Sequence, residues 1–188
     1  LIFDLDGTLV DSIKLHYDAY IEVLAPFNVR FDMAYMFSFT GKPSIECGAQ
    51  IINDFKVPMT PLELMRRKEE LFCQNLHLIE LIEPVMEIVR HYHGVLPMGI
   101  ATGSERNVVE ELLQLTGLDA YMQAVVTSND VTNPKPHPET FEKCAHLLGV
   151  NPKECMAFED GEHGMTAARE AGMWVIDVKP FYDKPVWN

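Results

Sequence analysis

The chain has 188 residues, 47% of them hydrophobic, and a mean hydropathy of −0.02; that suits one full domain with a small insertion, not two large domains. A net charge of −13 and a pI of about 4.8 argue against nucleic acid and anionic membranes as partners, and no run of about 18 apolar residues exists to span a bilayer. The same charge repels a phosphorylated ligand unless a metal or a local cation reverses the sign at the site.

The chain starts at Leu1 inside a strand-like run, so further residues are expected to precede it. Helical spacing follows over 12–25, with Ile13, Tyr17, Tyr20, Ile21 and Leu24 on one side, Ser12 as N-cap and Pro26 as the stop. A second helix is expected from about Ser44 to Phe55. A third runs from Thr60 to about Leu76, with Thr60 as N-cap and Pro61 at the first helical position. After Pro84 the pattern alternates. A helix (84–93) leads to a strand ending at Ala101, and the turn Thr102-Gly103-Ser104 leads to a helix that Gly117 closes. A strand follows at 124–126, then a helix from Pro138 to near Gly149. The strand at 155–158 stops at Glu159-Asp160-Gly161; a helix to Gly172 and a strand at 174–176 complete the set. Strands alternating with helices predict an α/β protein whose parallel sheet is covered on both faces. Residues 1–11 and 81–188 form that core, and the all-helical stretch 12–80 reads as a cap inserted after the first strand.

The cysteines (Cys47, Cys73, Cys144 and Cys155) form no CxxC and have no histidine at metal-ligand spacing. Buried or half-buried thiols of a reducing, cytoplasmic setting are expected, rather than disulfides or a zinc site. His91, His93, His137 and His163 read as surface or helix-end residues.

The ends of the parallel strands carry the chemistry. The first runs into Asp4-Leu5-Asp6-Gly7-Thr8, and period-two alternation puts both carboxylates on one face at the end where open α/β sheets bind ligands. Such a pair either shares a cation or divides nucleophilic and acid/base work. A calcium loop is excluded, because its fifth, sixth and twelfth positions would fall on Thr8, Leu9 and Leu15. Other strand ends and loops add Thr102 and Ser104, Lys135 between Pro134 and Pro136, and Glu159-Asp160. Four acids, two hydroxyls and a lysine suit phosphoryl transfer: acids for Mg²⁺, hydroxyls and lysine for phosphoryl oxygens, and one aspartate free to attack phosphorus. Each part also has a plainer reading, since Thr102 and Ser104 could cap the next helix and Lys135 could be a surface lysine. The order and spacing of all of them together carry the case.

These segments resemble the haloacid dehalogenase-like hydrolase superfamily along the whole chain: DLDGTLVDS its first motif, GIATGS the second, PKPHPETF the third and FEDGEHGMTAAREAG the fourth. The position and size of the cap resemble the beta-phosphoglucomutase-like branch, and within it the chain looks most like bacterial fructose-1-phosphate or 6-phosphogluconate phosphatases. The resemblance implies a Rossmann-like core with a cap that closes over a small phosphorylated sugar or sugar acid. It implies Asp4 as nucleophile, forming an aspartyl-phosphate, and Asp6 as the acid that protonates the leaving group and then activates water. Mg²⁺ would be held by Asp4, the Asp6 backbone carbonyl and Asp160, with Glu159 nearby or bonding through water. Thr102, Ser104 and Lys135 would hold the phosphoryl group. His16 on the first cap helix would face the site and Lys42 on a cap loop would read the substrate; a half-buried helix histidine and a solvated lysine are the plainer readings of the two. For Arg106 a second phosphate contact and a mere helix-start role both stand open. Members with such a cap are often monomers, and a monomer is expected here.

To act as an acid Asp6 must start protonated, which predicts a raised pKa in the closed site. The alternative activity is that of a phosphoglucomutase using the same nucleophile; Thr8 is what the phosphatases usually carry where many mutases have Val. A phospho-acceptor receiver domain is disfavoured, because its acceptor lies mid-chain and it has no large helical insertion.

Overall fold

The computed structural model of the protein describes residues 1–39 and 44–181. Strands β1 (Ile2–Phe3), β2 (Gly99–Ala101), β3 (Ala124–Val126), β4 (Met156–Glu159) and β5 (Trp174–Asp177) form one parallel sheet in the order β3-β2-β1-β4-β5. Successive strand residues feed opposite cores, as the pleat requires. Phe3, Ile100 and Phe158 pack with α5 (Glu83–Tyr92) and α6 (Arg106–Thr116). Ile2, Ala101 and Ala157 pack with α7 (Glu139–Leu147) and α8 (Glu162–Glu170). Both faces of the sheet are therefore covered, which is why its strands read as short apolar runs without alternation. The expected α/β fold is observed.

Between β1 and α5 lie α1 (Ile13–Leu24), α2 (Met33–Phe37), α3 (Ser44–Phe55) and α4 (Pro61–Gln74). They bury a third core around Tyr20, Leu24, Phe31, Cys47, Ile51 and Leu64. Thr60 caps α4 by accepting the Glu63 N–H at 3.2 Å, with Pro61 at the first position, as the sequence predicts. Helix α2 was not expected. Its five residues are too few for a period to register, and its signal is Asp32, which accepts the Tyr35 N–H at 2.8 Å. The two ends of this helical stretch run side by side: Ile82 N–H donates to Leu9 O and Asp11 N–H to Glu80 O, both at 2.9 Å. Helix α4 reaches back to the sheet, where Phe72 joins the first core.

The strand order reverses direction between β1 and β4. A crevice forms beyond the carboxyl ends of strands at such a switch point. The pairing of Phe3 with Phe158 sets Asp4 beside Glu159 there, and Asp4 N–H donates to Phe158 O at 2.9 Å. Among the described residues no helix is long and apolar enough to cross a membrane. All four cysteines are free; Cys47, Cys144 and Cys155 are buried and Cys73 is half-buried.

Candidate active site

Asp4 leaves β1 into the crevice and is only 6% exposed. The Lys135 ammonium bridges it to the neighbouring strand end, donating to Asp4 Oδ1 at 2.8 Å and to Glu159 Oε2 at 2.7 Å. Burial, reinforced by Glu159, pushes the Asp4 carboxyl well above the usual carboxylate range against the pull of Lys135. Burial works the other way on Lys135, yet Asp4 and Glu159 outweigh it and hold the ammonium above the usual lysine value. Glu159 is fixed from both sides, since its Oε1 accepts the Gly161 N–H at 3.0 Å.

Asp160 completes an acidic group. One oxygen from each of Asp4, Glu159 and Asp160 lies within 4.8 Å of the others, and all three residues have small exposure or line the same crevice. The backbone makes room for this group at two glycines. At Gly7, where φ is +82°, an added Cβ would stand 2.5 Å from Asp160 Oδ2; at Gly164 it would stand 2.0 Å from Glu159 Oε2. An all-oxygen, anionic donor set in such a cradle fits a hard divalent cation of the Mg²⁺ type.

Two residues beyond Asp4, the Asp6 carboxylate has other partners. Ser12 Oγ donates to its Oδ1 at 2.6 Å, Ser104 Oγ donates to its Oδ2, and His16 Nε2 lies 3.6 Å from Oδ1. Burial raises this carboxyl, but the bonds from His16, Ser104 and Ser12 outweigh that effect and hold it far below the usual carboxylate range. Two hydroxyl donors, with His16 close by, favour its ionised form without substrate, whereas the raised pKa is expected of the closed site. Ser12 differs from expectation. It precedes α1 without capping it, because its hydroxyl is committed to Asp6.

Thr102 is buried at the end of β2, and its Oγ1 accepts the Ser104 N–H at 3.0 Å. Neither Thr102 nor Ser104 caps α6 with its side chain. Asn129 of the loop after β3 does so, its Oδ1 accepting the Arg106 N–H at 2.8 Å. The Arg106 guanidinium pairs with Asp130.

A cavity of about 710 Å³ joins these groups to the helical stretch. Its walls include Asp4, Asp6, His16, Thr102, Ser104, Lys135, Glu159 and Asp160, so eight of the sequence-selected residues meet in one place. Lys42 lies outside the described residues. His91 and His93 stack edge-on against Tyr92 and Tyr121, away from the acidic group.

Lys68 on α4 was missed by sequence reasoning. It lines the cavity at 5% exposure, with Nζ 4.8 Å from the Phe72 ring centre, 5.8 Å from that of Tyr20 and 3.0 Å from Glu69 Oε2. Phe72 in turn stacks on His16 at 3.9 Å between ring centres. Burial, with Lys68 adding to it, lowers the His16 pKa and favours the neutral ring. The missed signal is the spacing Leu64-Lys68-Phe72, which puts a charge on the apolar stripe of an otherwise regular helix.

A family model described as haloacid dehalogenase-like hydrolase matches residues 1–178. The fructose-1-phosphate phosphatase YqaB of Escherichia coli (strain K12) is 38% identical over 181 residues, 95% of each chain. The validoxylamine A 7'-phosphate phosphatase of Streptomyces hygroscopicus subsp. limoneus is 26% identical over 183 residues, 97% of this chain and 86% of that one. Among solved structures, the beta-phosphoglucomutase of Clostridium difficile has a TM-score of 0.79 at 21% identity, with 93% of this chain and 81% of that chain covered. CbbY of Rhodobacter sphaeroides, solved in complex with phosphate, has the same TM-score at 24% identity, with 93% and 83% covered. At those identities the two structures speak for the fold alone.

Proposed function

This chain belongs to the haloacid dehalogenase-like hydrolase family, and from that premise we propose that it is a Mg²⁺-dependent phosphatase acting on a small sugar phosphate through an aspartyl-phosphate. One observation carries the reading: a nearly buried Asp4 held by Lys135 beside Glu159 and Asp160, with Asp6 two residues on and bonded instead to Ser12 and Ser104. In the first half-reaction an Asp4 oxygen attacks phosphorus and the bond from phosphorus to the sugar oxygen breaks. The sugar oxygen takes its proton from Asp6. In the second half Asp6 removes a proton from water, the water oxygen attacks phosphorus, and inorganic phosphate leaves with Asp4 restored.

The donors on Asp6 keep it ionised before substrate arrives, which works against both proton transfers. Its first task needs a proton, and the negative charge of a phosphate arriving beside it raises the carboxyl toward the protonated form. Lys135 and the Thr102 hydroxyl bind phosphoryl oxygens, and the Ser104 turn assists. Asp4, Asp160 and the Asp6 backbone carbonyl would hold the cation, with Glu159 adjacent. Mg²⁺ when bound supplies positive charge that offsets the repulsion between Asp4 and a phosphate dianion.

Residues 1–11 and 81–188 act as the catalytic core and 12–80 as the cap, in keeping with the paired chain ends at Leu9–Asp11 and Glu80–Ile82. His16 and Lys68 present the cap side of the cavity to the sugar, and Lys42 is assigned to substrate contact on its sequence position. A small sugar phosphate or phosphorylated sugar acid is supported by the 38% identity to the fructose-1-phosphate phosphatase. The mutase alternative draws only on structures of low identity and is not favoured.

The test is phosphate release from a panel containing fructose 1-phosphate, 6-phosphogluconate and glucose 1-phosphate, with Mg²⁺ and with chelator. Turnover with Mg²⁺ alone is expected, and Asp4→Asn should lower it roughly a thousandfold or more. Isomerisation of glucose 1-phosphate without phosphate release would replace the phosphatase reading, and normal turnover by Asp4→Asn would remove the nucleophile.

A further inference from the structure

The loop after β3 holds the turn after β2 at several points. Thr102 N–H donates to Val126 O at 2.9 Å. Ser128 donates twice to the Ser104 carbonyl, through its N–H at 3.0 Å and its hydroxyl at 3.2 Å. Asn129 accepts the Arg106 N–H, and Asp130 accepts the Arg106 guanidinium. The loop is itself pinned, because Asp130 Oδ2 also accepts the Thr127 N–H and hydroxyl, both at 2.8 Å. Ser104 is thus gripped through its carbonyl, and the next helix is capped by a residue from another strand's loop. From this fixed backbone the Ser104 hydroxyl reaches Asp6 Oδ2.

We propose that Asn129, with Ser128, is a positioning residue for catalysis: the loop after β3 fixes the Ser104 turn so that the Ser104 hydroxyl orients the Asp6 carboxylate. The inference rests on the phosphatase reading above and adds a residue group that touches neither substrate nor metal ligand. Small misplacements in an active site are costly, since about 1 Å can lower a rate about a hundredfold. Asn129 is exposed, so its replacement trims one hydrogen bond without opening the core.

The experiment compares Asn129→Ala, Asn129→Asp, Ser104→Ala and the double variant Ser104→Ala/Asn129→Ala, on whichever sugar phosphate the intact protein hydrolyses. Asn129→Ala is expected to lower kcat between about tenfold and a hundredfold with KM little changed. Asn129→Asp keeps an acceptor for the Arg106 N–H and should recover most of that loss. The double variant should be as slow as Ser104→Ala and no slower, because both changes remove the same orientation of Asp6. Losses that multiply in the double variant, an unchanged kcat in Asn129→Ala, or a fall with no rescue by Asn129→Asp would each overturn the positioning role. A wild-type rate in Ser104→Ala would overturn it too. Failure of the phosphatase reading is seen separately, as absence of phosphate release by the intact protein.

Discussion

Gly164 has no side chain, yet the place of Glu159 depends on it. An alanine there would gain up to about 1 kcal/mol of helix propensity in α8. Against this, its Cβ would overlap the Glu159 carboxylate, 2.0 Å from Oε2. Glu159 can yield only by leaving Lys135 and the Gly161 N–H, and bonds to charged groups are worth roughly 1.5–3 kcal/mol each. Gly164→Ala is therefore expected to cost about 2–5 kcal/mol of stability and to lower turnover more than tenfold through a displaced Lys135. Urea midpoints and initial rates measured on one preparation decide this. Wild-type turnover in the variant would mean that Glu159 does not govern Lys135. Residues of this kind separate what the chain discloses from what it hides. Asp4, Lys135 and Asp160 are legible because strand ends in a parallel sheet must meet at one edge. Ser12 and Lys68 are less so, since side-chain contacts decide their roles: Asp6 takes the hydroxyl that a cap would use, and Phe72 and Tyr20 shelter the ammonium.

The loop over residues 127–130 is an element too short to leave a period, and this is why the sequence did not reveal it. Longer elements were legible: α1, α3, α4 and the helices of the sheet region fall within a residue or two of their expected limits, set by Pro61, Pro84 and Gly117. Sheet order and the capping of α6 by Asn129 were not, because both are decided by tertiary pairing. The loop has its own pH signature. Burial raises the Asp130 carboxyl, but the Thr127 N–H, the Thr127 hydroxyl and Arg106 outweigh it, so its pKa in the folded protein is depressed. A depressed carboxyl contributes stability that is complete above the unfolded value, roughly pH 4, and is lost as pH falls through the folded one. Asp130→Asn should lower stability at neutral pH and flatten the loss as pH falls below roughly 4. Urea unfolding across that range measures both, and an unchanged acid slope would mean that Asp130 pairs just as strongly when unfolded.

At the scale of the whole molecule, charge is arranged for a ligand and against the metal-free fold. The chain carries −13 overall, and its sheet gathers Asp4, Glu159 and Asp160 at one crevice with Lys135 the cation bonded to two of them. Asp4 registers the strain through burial first, then Glu159, with Asp160 also contributing. The sign for such a raised carboxyl is the reverse of that for Asp130. Its contribution is complete below the unfolded value and is lost as pH rises through the folded one, so at neutral pH the acidic group opposes folding. Functional sites commonly hold such destabilising groups, and relieving one yields about 0.5–2 kcal/mol. Asp160→Asn keeps the shape beside Gly7 while removing one charge. In chelator the variant should melt higher than the intact protein. In Mg²⁺ the order should reverse, because a ligand that binds only the folded state stabilises it by an amount that grows with the logarithm of its concentration, about 2.7 kcal/mol at a hundred times Kd, and the variant forfeits most of that gain. Thermal unfolding of both proteins across a Mg²⁺ series tests both halves together. A variant that is less stable in chelator contradicts the repulsion, and one that keeps the full Mg²⁺ response contradicts the placement of the cation among these carboxylates.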